Sequence, residues 1–135
     1  MSMNDFARRL SLSLLLLGAA VGSASAGPGH AHSAANGGQV QKVGKFEAEL
    51  AVRGAQATLY LTDENDRKVD ASGMSASAMV LAAGNQQKTV VMKPAGENRL
   101  TGDVDFPVEG KFRATVTLRD GSGDVGKARY SLDAK

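Results

Sequence analysis

From Phe112 to Arg119 apolar and polar side chains alternate without a break: Phe112, Ala114, Val116 and Leu118 on one parity, Arg113, Thr115, Thr117 and Arg119 on the other. Successive side chains of an extended chain point to opposite faces, so this pattern predicts a strand with one face in a core and the other in water. Its branched and aromatic residues suit a half-buried pleated surface. Asp120-Gly121-Ser122-Gly123 then supplies the glycines of a tight reversal, and Ala128, Tyr130 and Leu132 continue the period in a final strand.

The same period recurs upstream. Within Lys45 to Arg53, Phe46, Ala48, Leu50 and Val52 oppose Glu47, Glu49 and Arg53, which places Glu47 and Glu49 on the wet face. Gly54 breaks that segment, and Ala55, Ala57, Leu59 and Leu61 resume it, as a hairpin requires. Asp63-Glu64-Asn65-Asp66-Arg67 is a turn, and Lys68 to Asp70 a short extended piece. Ser75 to Leu81 and Lys88 to Met92 read as strands joined through Ala83-Gly84-Asn85-Gln86, with a turn at Pro94 to Asn98. Leu100, Gly102, Val104 and Phe106 alternate with Thr101, Asp103 and Asp105, and Pro107 to Gly110 closes that segment. Seven to eight short strands with no helical period among them predict an all-β, antiparallel, immunoglobulin-like sandwich. The chain has no cysteine and no tryptophan, so the disulfide and tryptophan of antibody domains are missing and stability must come from apolar burial.

The amino-terminal end reads differently. Arg8 and Arg9, the apolar run Leu10 to Val21, and Ala24-Ser25-Ala26 form the three parts of a cleavable signal peptide over residues 1–26. The apolar run is too short to span a bilayer, and the residues around Arg8 and Arg9 fit the twin-arginine pattern poorly. General secretion into the periplasm is expected, with no lipobox cysteine and no stable membrane anchor after cleavage. Residues 27–38, GPGHAHSAANGG, carry no apolar period and are expected to form a flexible leader, followed by one domain over 39–135. The formal charge of +2 falls by one when Arg8, Arg9 and Asp5 leave with the peptide. Backbone binding to nucleic acid needs clustered cations, so a nucleic-acid partner is not expected.

The two histidines, His30 and His32, lie in the leader two residues apart. An extended backbone puts both imidazoles on one side, within reach of a copper, nickel or zinc ion. Two imidazoles leave the site incomplete; carboxylates, the terminal amine or a partner would supply the rest. The square-planar amino-terminal copper motif is ruled out, because cleavage before Gly27 makes His30 the fourth residue and puts Pro28, without an amide proton, second. Met74, Met79 and Met92 offer thioethers to Cu(I), but Met74 and Met79 have opposite parity and read as core or surface filling. Asp63, Asn65 and Asp66 fail the EF-hand pattern at Arg67, and Asp120 with Asp124 brackets a glycine turn; both groups read as turns. Glu47 and Glu49 lack the desolvating pocket that paired catalytic carboxylates need, and no histidine falls inside the folded region to activate a serine or threonine. An enzyme is not expected.

The stretches His32-Ser33, Asn36 to Val40, Gly44 to Leu50, Leu59 to Asp63 and Lys68 to Asp70 resemble small periplasmic proteins associated with heavy-metal efflux systems and segments of their membrane-fusion adaptors. The likeness extends to the YtkA-like and FixH-like envelope sandwiches and covers most of the mature chain. It implies an accessory in copper or other divalent-metal homeostasis that binds a metal through His30 and His32 or docks on an efflux adaptor. A metal-independent envelope interaction domain, pairing a sheet edge with a partner strand, is the alternative. A carrier of a small apolar ligand ranks behind both, because the expected core is rich in alanine and short of aromatics.

Overall fold

The computed structural model describes residues 34–133, which form eight antiparallel strands. They are β1 (Gln39–Val43), β2 (Phe46–Arg53), β3 (Gln56–Thr62), β4 (Ser75–Ala82), β5 (Gln86–Pro94), β6 (Arg99–Asp103), β7 (Lys111–Asp120) and β8 (Gly123–Asp133). A three-residue 3-10 turn, Ala83–Asn85, joins β4 to β5. The spatial order is β1-β2-β3-β6-β5-β4-β7-β8, so the expected all-β antiparallel architecture holds. Read from β2, the order has the immunoglobulin arrangement, with β2-β3-β6-β5 as one layer and β4-β7-β8 as the other. Here β5 belongs to both layers: its first seven residues pair with β4, while Lys93 and Pro94 pair with Thr101 and Leu100 of β6. The two layers therefore form one sheet that nearly closes on itself.

Gly102 is what lets β5 cross. A Cβ there would stand 2.5 Å from the Val91 carbonyl oxygen and 2.6 Å from Val90 Cγ1, so a side chain would push the crossing strand away. Closure occurs where β1 and β8 meet. Cβ atoms on Gly44 and Gly126 would lie 2.6 Å from the Val125 oxygen and 2.5 Å from the Gly44 nitrogen, so the two backbones touch at this end. At the other end a side chain spans the seam: Gln39 Oε1 accepts the Ser131 N–H at 2.7 Å.

The core follows the sequence parity. Phe46, Ala48, Leu50 and Val52 of β2 meet Ala57, Leu59 and Leu61 of β3, with Leu50 opposite Leu59 and Ala48 opposite Leu61. Across the core stand Ala76, Ala78 and Val80 of β4 and Phe112, Ala114, Val116 and Leu118 of β7, with Ala78 opposite Val116. Small residues beside large ones fill the interior. Tyr130 of β8 reaches through this interior and donates to the Ala48 carbonyl at 2.8 Å, tying the last strand to β2. Burial pushes the Tyr130 phenol well above its usual range.

Several boundaries differ from the sequence reading. Ala55 falls in the exposed β2–β3 turn, β5 runs on to Pro94, and β8 begins at Gly123 with a bulge opposite Leu118 and Arg119. The five residues of β1 form a strand of their own against β2. Glu49 is not on a wet face: it is 6% exposed.

Candidate interaction face

His30 and His32 lie outside the described residues. Among the described residues no three His, Asp or Glu side chains converge to hold a metal ion. The methionines are dispersed: Met92 is fully buried, Met74 packs in part against the core from the β3–β4 connection, and Met79 faces outward from β4. The acidic loop behaves as a turn. Asp63 Oδ1 accepts the Asn65 and Arg67 N–H groups at 2.8 and 2.9 Å, and those two bonds hold its carboxyl below the usual carboxylate value. Asp120 likewise accepts the Ser122 N–H, and Asp124 pairs with Arg119 at 2.9 Å.

Glu49 has a structural task that its sequence parity hid. Its carboxylate accepts the Asn36 N–H and Gly38 N–H at 2.9 and 2.8 Å and the Asn36 side-chain amide at 3.0 Å, while Arg53 donates to the Asn36 carbonyl at 2.8 Å. Of residues 27–38, the stretch entering β1 is thus clasped to the outside of β2. Ala35 and Asn36 line one wall of a cleft of about 390 Å³ whose other walls include Tyr60, Thr62 and Asn98.

The two outward faces of the barrel differ in charge. On β1, β2, β3, β6 and the end of β5 the outward parity carries Lys42, Arg53, Lys93 and Arg99 against Glu47, Glu49 and Asp103, a net charge of +1. On β7 and β8 it carries Lys111, Arg113, Arg119, Lys127 and Arg129 against Asp124 and Asp133. The two carboxylates are taken by Arg119 and by Lys111, the latter at 2.9 Å from Asp133. Arg113, Lys127 and Arg129 have no carboxylate partner among the described residues, leaving a net charge of +3. Beside them, the outward residues of β4 and β5 from Ser75 to Val91 are uncharged: Ser75, Ser77, Met79 and Leu81, then Gln87, Thr89 and Val91.

The register knits these residues into rows. Thr89, Met79, Thr115 and Arg129 lie side by side across four strands, as do Val91, Ser77, Thr117 and Lys127. Met79 and Val91 are the exposed large hydrophobic residues of the described chain, at 49% and 57%, and both stand on this face. The surface is concave. A trough of about 490 Å³ has Met79 and Leu81 in β4, Arg113 and Thr115 in β7, and Arg129 in β8 along its walls and floor, and Gln39 and Gln41 of β1 raise its far rim. The sequence signal was present in the strict alternation of β7, whose outward parity is Arg-Thr-Thr-Arg, but the neighbouring strands had to be known before the charge could be summed.

Comparison of the chain with protein-family models, with curated proteins and with solved structures finds no match.

Proposed function

We propose that the chain is a non-enzymatic binding module of the cell envelope, exported by residues 1–26, which docks on another protein through the outward face of β5, β4, β7 and β8. The observation that carries this reading is the placement of Met79 and Val91 together, exposed, on the face that also holds the unpaired Arg113, Lys127 and Arg129. Exposed apolar residues ringed by polar and charged ones are the surface pattern of a protein contact. The methionines provide the test. Under mild peroxide, Met79 oxidation in intact cells is expected to slow relative to Met74 when both are compared with the purified chain, with buried Met92 unreacted in each. An unchanged ratio of Met79 to Met74 oxidation refutes docking at this face.

A second reading, transition-metal homeostasis, draws on the Glu49 clasp and on the resemblance to efflux-associated envelope sandwiches. Because Asn36 and Gly38 are held on β2, a metal bound by His30 and His32 would stay tethered a few residues from the sandwich, where it could be passed to an efflux adaptor docked nearby. Calorimetric titration of the chain starting at Gly27 with Cu(II), Ni(II) and Zn(II) tests it. Binding that is lost in the His30→Ala/His32→Ala variant supports the reading, and absence of binding to all three ions ends it.

A further inference from the structure

We infer that the occupant of this trough is an extended, acidic segment of a partner protein in which carboxylates and apolar side chains recur in alternating pairs, so that each face of the segment presents both. The inference rests on the docking reading above and names the chemistry of what docks. Three unpaired cations on a face with no unpaired carboxylate call for a negative partner, and complementarity of sign is what steers and orders such contacts. Charge alone does not choose among polyanions, so the other properties of the face decide.

The trough is concave, with Met79 and Leu81 of β4 on one side and Arg113 of β7 and Arg129 of β8 beyond them toward its far rim. A bilayer surface would bridge its rims and leave the apolar floor empty. No outward residue of β4, β5, β7 or β8 is aromatic, since Phe112 and Tyr130 both point inward, so the aromatic anchors of an interfacial membrane protein are missing. The same lack removes the stacking platforms that single-stranded nucleic acids use, and three cations are few for counterion-driven binding. A polypeptide answers each feature. Its apolar side chains cover Met79 and Leu81 in the trough and Val91 beside it, its carboxylates reach Arg113, Lys127 and Arg129, and its backbone meets the hydroxyls of Ser77, Thr89, Thr115 and Thr117. Four strands span three gaps of about 4.8 Å, so a segment of about seven residues crosses the face with ends to spare.

The probe is a synthetic peptide of about seven residues in the repeating order Val-Val-Glu-Glu, which shows both residue types on each face when extended, titrated into the chain from Gly27 at low and at physiological ionic strength, beside the same peptide with Gln for Glu. Saturable binding that weakens with salt and is absent for the Gln peptide is expected. The variant Arg113→Gln/Lys127→Gln/Arg129→Gln should bind about tenfold more weakly, about twofold for each exposed charge compounded over three. Lys42→Gln/Arg53→Gln, on the opposite face, should bind as the unsubstituted chain does. Circular dichroism checks that each variant is folded. Equal binding of the Glu and Gln peptides, equal loss in both variants, or binding to phosphatidylglycerol vesicles in place of the peptide overturns the inference. If Met79 is protected in cells while the peptide does not bind, the docking face stands and only the acidic class of its occupant falls.

Discussion

The junction of β1 and β8 can be tested with glycines that differ in surroundings but not in backbone conformation. Gly44 has φ +61° and Gly54 φ +57°, so an alanine at either is forced into the left-handed region at a cost of about 1–2 kcal/mol. At Gly54 nothing lies within 4 Å of the added Cβ. At Gly44 the Cβ would stand 2.6 Å from the Val125 oxygen and 2.8 Å from Val125 Cγ1, so β1 must withdraw from β8. Overpacking of this kind costs about 1–3 kcal/mol beyond the backbone term. Gly54→Ala should therefore lower stability by about 1–2 kcal/mol and Gly44→Ala by about 2–5 kcal/mol. Gly126→Ala, whose Cβ would meet the Gly44 nitrogen at 2.5 Å, should lose the contact part without the conformational one. Combined with Gly44→Ala it should cost less than the sum, because strands parted once accommodate both methyl groups. Urea unfolding with an unchanged m-value measures these differences, and each kcal/mol moves the thermal midpoint by about 4–8 °C in a domain of this size. Equal losses for Gly44→Ala and Gly54→Ala would show that β1 and β8 are not in contact and would refute the closed end of the barrel.

Three further outcomes are expected. Glu49→Gln removes the charge from a carboxylate that accepts the Asn36 and Gly38 amides; charge-assisted bonds of this kind are worth about 1.5–3 kcal/mol, so hydrogen exchange at both amides should rise at least about tenfold, and unchanged exchange would refute the clasp. Tyr130→Phe should cost about 1 kcal/mol in urea unfolding and remove from the absorbance titration a phenol that ionises above the ordinary range; loss of a normally titrating phenol instead would contradict its burial. Because the folded Asp63 carboxyl titrates below its ordinary value of 3.8, its contribution is present above the unfolded value and is lost as pH falls through the lower folded one. An NMR titration of the Asp63 carboxyl should place its midpoint below 3.8, and a midpoint at or above 3.8 would contradict the turn geometry.

The strand plan was legible wherever one face is buried, as in β2, β3 and β7, because period-two alternation reports a wet and a dry side directly. It was less legible where both sides are covered or both are polar. Glu49 shares parity with outward residues and is buried all the same, since the chain entering β1 folds onto it, a contact between residues 11 to 13 positions apart that no local pattern encodes. β1 contributes one fully buried apolar residue, Val43, and otherwise glutamines, valine and lysine, so its alternation is faint. Nor does the crossing of β5 between layers have a local signal beyond Gly102, a small residue in an otherwise apolar register. The basic face is a property of register. Arg113, Lys127 and Arg129 are scattered in sequence, and only the pairing of β7 with β8 and β4 brings them beside Met79.

A photo-reactive residue placed singly at Met79 and at Asp103, on opposite outward faces, tests the binding surface most directly when each variant is made in the cell that produces the chain and irradiated there. The account predicts one discrete cross-linked product with another protein from position 79, lost when Arg113, Lys127 and Arg129 are changed to Gln, and none from position 103. Cross-linking from position 103 alone, or from both positions equally, would contradict it.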